Sequence, residues 1–235
     1  MIILALDTSS RLCSLAVLGD GELLSSTGGV SDEPYASRVF ADLNRVMAQA
    51  RVELAQIELF AVATGPGAFT GLRVGLAAVK GWSEVFGRPV AAVSVLESIA
   101  AQAQATRPAQ MLAPVMDARG GHLYGGLFRR DETDGRLLAM AEEVVLSHDE
   151  YFRWVRQVAG SESPLFVTTT PEMVKAALAP SSLAGAALEE VSGELAPSIG
   201  RLGLARSRRG ELVDSLALEA NYVRRSDAET KWRGG

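Results

Sequence analysis

The chain has 235 residues, 48% hydrophobic and 22% charged, an ordinary globular composition with length for one large or two modest domains. Its 23 basic and 28 acidic side chains leave a net charge of −5, which excludes a broad basic face able to clamp nucleic acid unaided. A single cysteine, Cys13, excludes an internal disulfide and a cysteine-rich zinc site, and its neighbours Leu12 and Leu15 point to a buried thiol.

The opening run Met1-Ile2-Ile3-Leu4-Ala5-Leu6 lacks a basic leader and meets a carboxylate at Asp7. No stretch reaches the roughly 18 apolar residues of a bilayer span, so the expectation is a cytoplasmic protein. Ile2 to Leu6 reads as a central buried strand, Leu12 to Leu18 as its partner, and Glu22 to Ser26 as a third strand after the Gly19-Asp20-Gly21 hairpin. Gly28-Gly29 is expected to end this meander. From Pro34 the period changes: Tyr35, Val39, Leu43, Val46, Met47 and Ala50 share one face of a helix over 34–51.

A short apolar strand over 59–63 then feeds Thr64-Gly65-Pro66-Gly67-Ala68-Phe69-Thr70-Gly71-Leu72-Arg73, a turn that opens a nearly all-apolar helix over 71–86. A helix apolar almost all round is covered on more than one side. Glycines at 71, 75 and 81 each cost about 1 kcal/mol against alanine, which a close backbone approach offsets. Two readings of the loop stand: a tight turn that lets the helix lie close to its neighbour, or a glycine-rich anion site at a helix N-terminus. The Gly-Lys-Ser/Thr ending of a P-loop and the dinucleotide glycine spacing are both missing.

Pro89 to Val93 is a fifth strand, and Ser94-Val95-Leu96-Glu97 has capping-box spacing before a helix to about Gln104. Thr106-Arg107-Pro108 marks the expected boundary. After it the opening theme returns: strand Met111 to Met116 ending in Asp117, partner Leu123 to Phe128, third strand Leu137 to Leu146, helix Asp149 to Val158, strand Leu165 to Thr168, helix Pro171 to Leu178. The domains expected are 1–106, 107–210, and a segment 211–235 returning to the first. Pro197 to Arg209 reads as a basic helix whose Arg201, Arg206, Arg208 and Arg209 are either a solvated face or an RNA or acidic-protein contact.

Asp7 and Asp117 each close a predicted central strand and precede small or hydroxyl residues. In actin-like ATPases two such turns cradle Mg-nucleotide, so Asp7, Thr8, Ser9, Gly65, Gly67 and Asp117 are the candidate weak nucleotide contacts; the alternative is that each aspartate only caps its turn. Thr168-Thr169-Thr170-Pro171 offers no glycine for an adenosine to approach. His122 and His148 are the only histidines and their spacing makes no helical metal pair, so neither a metal site nor a catalytic residue is expected.

The blocks Ile3-Leu4-Ala5-Leu6-Asp7-Thr8-Ser9, Gly65-Pro66-Gly67-Ala68-Phe69-Thr70-Gly71-Leu72-Arg73-Val74-Gly75, Val93-Ser94-Val95-Leu96-Glu97, Asp117-Ala118-Arg119 with Tyr124, and Tyr222-Val223-Arg224-Arg225 resemble the bacterial TsaB (YeaZ) family. The resemblance implies an α/β chain of two actin-like (ASKHA, RNase H-like) domains with a duplicated β-β-β-α-β-α pattern. It also implies a non-catalytic part in making threonylcarbamoyladenosine at position 37 of tRNAs that read codons beginning with A. The implied partners are the catalytic subunit TsaD, the ATPase TsaE in a ternary complex, and a second copy when alone. No cofactor is required, with ATP or ADP and Mg held, if at all, at a complex interface. The partner face is expected on the helices 34–51 and 71–86, through Tyr35, Val39, Leu43, Val46, Leu72, Leu76, Val79 and Lys80. Many family members carry a histidine-serine pair where this chain has Ser31-Asp32-Glu33-Pro34-Tyr35. The competing function is an ATP-dependent phosphotransferase built on Asp7 and Asp117.

Overall fold

The computed structural model describes residues 1–30, 33–104 and 110–223. The expected boundary at Thr106-Arg107-Pro108 and the tail from Ser226 lie outside them. The chain divides into two compact units, Met1–Ser98 with the chain from Glu194 on, and Ile99–Gly193.

In the first unit β1 (Ile2–Asp7), β2 (Leu12–Gly19) and β3 (Glu22–Val30) form an antiparallel meander, followed by α1 (Tyr35–Ala50), β4 (Leu59–Gly65), α2 (Phe69–Phe86), β5 (Val90–Ser94) and the start of α3 (Val95–Ala101). The sheet order is β3-β2-β1-β4-β5, with β4 parallel to both β1 and β5. Alternation along the strands sends Leu4, Leu6, Phe60 and Val62 to one face, where Val39, Leu43, Val46 and Met47 of α1 and Leu76 and Val79 of α2 cover them. The other face carries α6 (Ala196–Arg209), held close because a Cβ on Gly203 would stand 2.8 Å from Ala61 Cβ.

Two expectations are corrected here. Strand β3 does not end at Gly28-Gly29: Cys13 pairs with Gly29 and Leu12 with Val30, and the buried Arg38 guanidinium donates to the carbonyls of Arg11, Cys13 and Gly29. Helix 196–209 belongs to the first unit rather than to a domain 107–210, since it packs on β1, β2, β4 and β5. Of the arginines on it, Arg206 pairs with Glu97 and Arg209 binds Glu211 through two contacts at 2.9 and 2.8 Å, while Arg201, Arg208 and Arg209 are exposed.

The second unit repeats the plan with β6 (Met111–Arg119), β7 (His122–Gly125), β10 (Val144–Ser147), α4 (His148–Ala159), β11 (Leu165–Thr168), α5 (Pro171–Leu178) and β12 (Leu188–Glu190). Its order, β10-β7-β6-β11-β12, is that of the first sheet, strand for strand. The expected strand 123–128 is broken at Gly125-Gly126, where the Tyr151 ring occupies the space of a Gly125 side chain. The remainder continues as β8 (Phe128–Arg130). The expected third strand 137–146 is broken to match, β9 (Leu137–Ala139) pairing β8 and β10 pairing β7. The core gathers Tyr151, Phe152, Val155 and Phe166. No helix among the described residues is long and apolar enough to cross a membrane.

Candidate functional site

The residues proposed to hold nucleotide form the turn after β1, and the glycine loop and α2 close over it. Ser9 N–H donates to Asp7 Oδ1 at 2.8 Å, while the Ser9 carbonyl accepts from Ala68 N–H at 2.6 Å. A Cβ on Gly67 would collide with the Ser9 carbonyl oxygen, one on Gly71 with the Thr8 carbonyl oxygen, and one on Gly75 with Thr8 Oγ1. The first two turns of α2 therefore lie directly on the backbone that would have to face a phosphate. Gly65 is fixed from outside as well: its φ is 125°, and a Cβ there would stand 2.6 Å from the Asn221 carbonyl.

The result is a sealed turn. Asp7, Thr8 and Ser9 are each no more than 2% exposed, and Asp7 Oδ2, Thr8 Oγ1 and Ser9 Oγ have no hydrogen-bond partner among the described residues. Burial pushes the Asp7 carboxyl up to about 6, against the opposing pull of the Ser9 N–H. Burial likewise pushes the Cys13 thiol up to about 12, as an unreactive core cysteine requires. The Ser9 amide is taken up by Asp7 and its carbonyl by Ala68, and Thr8 lies directly beneath Gly71 and Gly75, so this turn does not fit a nucleoside triphosphate. Asp117 sits in the equivalent turn, exposed, its Oδ1 accepting from Arg119 N–H at 2.7 Å. Each aspartate caps its own turn. His122 Nδ1 lies 2.9 Å from the Gly120 carbonyl, and His148 opens α4 behind the Ser147–Glu150 capping box.

The expected partner-face residues are placed otherwise than expected. Val39, Val46 and Val79 are fully buried, Leu72 is 1% exposed and Leu43 and Leu76 7%, because this apolar face covers the chain's own sheet. Only Tyr35 and Lys80 reach solvent, and the Tyr35 ring lies against Gly71, joining α1 to α2. Sequence periodicity missed the outward face. On α2 it runs through Thr70, Ala77, Gly81 and Val85, the last 76% exposed, with the exposed Phe69, Arg73 and Glu84 beside them and the half-buried Val74 and Ala78 at its flank. On α1 it runs through Ala36, Phe40, Ala41, Asn44 and Ala48, with Phe40 55% exposed and the exposed Ser37, Arg45 and Gln49 beside them. The signal for it was the scarcity of charge on α2, which exceeds what one sheet can bury.

A family model described as "TsaD: tRNA N6-adenosine threonylcarbamoyltransferase" matches residues 18–189. The chain is 24% identical over 238 residues to the Bacillus subtilis tRNA threonylcarbamoyladenosine biosynthesis protein TsaB, spanning 99% of this chain and 98% of the relative. The solved YeaZ from Pseudomonas aeruginosa superposes with a TM-score of 0.76 at 29% identity, over 94% of this chain and 99% of that one. At the level of fold alone, the activator of 2-hydroxyisocaproyl-CoA dehydratase from Clostridium difficile, solved with bound ADPNP, aligns with a TM-score of 0.53 at 9% identity, over 90% and 97% of the two chains. Two copies of one five-stranded order, each opened by a strand ending in aspartate, make this an α/β chain of the actin-like, RNase H-like class. Within that class the chain belongs to the TsaD-related family, as one of its TsaB (YeaZ) members.

Proposed function

We propose that the chain is a non-catalytic subunit of tRNA threonylcarbamoyladenosine synthesis, which binds a TsaD-type catalytic subunit through the outward faces of α1 and α2 and holds it in an active arrangement. The observation that carries this reading is the division of labour on α2. Its glycine face seals the Asp7-Thr8-Ser9 turn against a phosphate, while its opposite face presents Thr70, Ala77, Gly81 and Val85 to solvent. A partner helix could approach closely there, since a Cβ on Gly81 meets nothing within 4 Å. Burial of such a face, at about 25 cal/mol per Å² before the costs of association, suffices for a stable contact. The chain alone pairs with a second copy through the same face, so homodimer and heterodimer exclude one another. An ATPase of the TsaE type joins the pair, and any Mg-nucleotide the assembly uses is held outside the sealed turn.

Light scattering of the chain, alone and mixed with TsaD, tests this. Wild type is expected to form a heterodimer, and the double variant Phe40→Glu with Ala77→Glu to remain monomeric while keeping its circular dichroism. A folded double variant that still binds TsaD contradicts the proposed face. Magnesium-dependent ATP turnover by the pure chain, lost in Asp7→Asn, would instead establish the phosphotransferase.

A further inference from the structure

After α6 the chain runs back along α2. Val213 bridges to Val90 at the β5 edge, Ser215 Oγ donates to Glu84 at 2.7 Å, Leu218 enters the core at 1% exposure, and Asn221 N–H donates to the Thr64 carbonyl at 2.8 Å. These anchors deliver Tyr222 to the first turn of α2. Its ring lies 5.4 Å from that of Phe69, the Arg73 guanidinium stands 3.7 Å from the centre of the Phe69 ring, and Arg73 Nε donates to the Tyr222 hydroxyl at 3.2 Å.

Both rings are exposed, Phe69 at 37% and Tyr222 at 44%, whereas every other ring contact among the described residues includes a buried ring. Large rings fixed at the surface in a preset arrangement signal an interaction site. Arg73 has no carboxylate partner among the described residues, and Arg224 and Arg225 follow Val223 in the sequence.

We propose that Phe69, Arg73 and Tyr222 form a stacking site for an unpaired base of RNA. Single-stranded loops are read by stacking splayed bases on aromatic rings and guanidinium planes, with phosphate charge balanced by arginine. This cluster supplies each of those parts in a patch of about one base, ordered in advance by the Asn221 anchor and the Arg73–Tyr222 hydrogen bond. An apolar protein helix finds its complement farther along α2, on Ala77, Gly81 and Val85, the stripe that Thr70 and Arg73 begin, so the cluster borders the partner face. The site thus deepens the function proposed above, on which it rests for the identity of the RNA as tRNA.

The test is fluorescence anisotropy with a labelled anticodon stem-loop RNA and, as control, a fully paired RNA of equal length. It is run on the chain alone and on its complex with TsaD, for wild type, Phe69→Ala, Arg73→Ala, Tyr222→Ala and Tyr222→Phe, with TsaD binding measured in parallel. The stem-loop is expected to bind better than the duplex. Each alanine variant should weaken stem-loop binding roughly tenfold with TsaD binding unchanged, and Tyr222→Phe should keep most of it. Stem-loop binding that is absent, or unaffected by the alanine variants, overturns the site. Loss of TsaD binding in those variants without loss of RNA binding also overturns it, making the cluster a protein contact. RNA binding by a chain that ignores TsaD would keep the site and sink the subunit reading instead.

Discussion

The two units share one strand order and one aspartate turn, yet the turns have opposite fates. Asp7 is 1% exposed beneath α2; Asp117 is exposed. The difference lies in the segments that leave β4 and β11, the strands at the same place in the two sheets. After β4 come Gly67, Gly71 and Gly75, whose missing side chains let an 18-residue helix rest on Thr8 and Ser9. After β11 come Thr168-Thr169-Thr170-Pro171 and an eight-residue helix with no glycine. There a small hydroxyl turn forms, Thr170 N–H donating to Thr168 Oγ1 at 3.1 Å. Three absent Cβ atoms convert an open turn into a sealed one, and leave the other side of the helix facing solvent.

The sharpest way to break this comparison is to restore a side chain. Gly71→Val should destabilise the chain by roughly 3 kcal/mol in urea unfolding, since the new atoms must displace the Thr8 carbonyl and the Tyr35 ring. The same change at Gly120 in the second unit meets nothing within 4 Å and costs only the strain of its φ of 61°. Equal losses at the two sites would contradict the seal.

Next in size is the charge beneath it. The folded carboxyl of Asp7 titrates at about 6 and the unfolded one near 3.8, so between those values the folded chain binds more protons. The contribution of Asp7 to stability therefore falls as pH rises through that window and is flat above it, by an amount on the order of 2 to 3 kcal/mol. Asp7→Asn should raise stability at pH 7.5 by up to about 2 kcal/mol and remove this contribution to the slope. Urea unfolding of both proteins at a series of pH values measures it; a wild-type-minus-variant difference that rises through the window refutes the buried Asp7.

A smaller effect separates the two sides of α2. Gly81→Ala faces open space and should stabilise the isolated chain by about 0.5 to 1 kcal/mol in thermal or urea unfolding, opposite in sign to Gly71→Val.

Sequence alone carried the element order, the duplication and the close approach of the glycine helix, because apolar periodicity and missing Cβ atoms act locally. It misassigned Val39, Leu43, Val46, Leu72, Leu76 and Val79 to a partner, since a 3.6-residue apolar stripe does not say whose surface it covers. Arg38 and Asp42 lie off the apolar stripe of α1, yet both are buried, Arg38 Nε donating to Asp42 Oδ2 at 3.2 Å while its other nitrogens hold the end of β3. Helix 196–209 carried no mark of the sheet it joins, which is fixed by Gly200 against Leu18 and Ala5 and by Gly203 against Ala61 and Ala91. The Phe69–Tyr222 contact pairs residues far apart in sequence and was not legible at all.

The most direct test of the subunit reading is threonylcarbamoylation of tRNA by TsaD and TsaE supplied with wild type, Asp7→Asn, or Phe40→Glu with Ala77→Glu. The sealed turn and the outward face predict full support from Asp7→Asn and none from the folded double variant. Activity lost with Asp7→Asn and retained by the double variant would mean that this chain works through its nucleotide turn, and not through the surface of its helices.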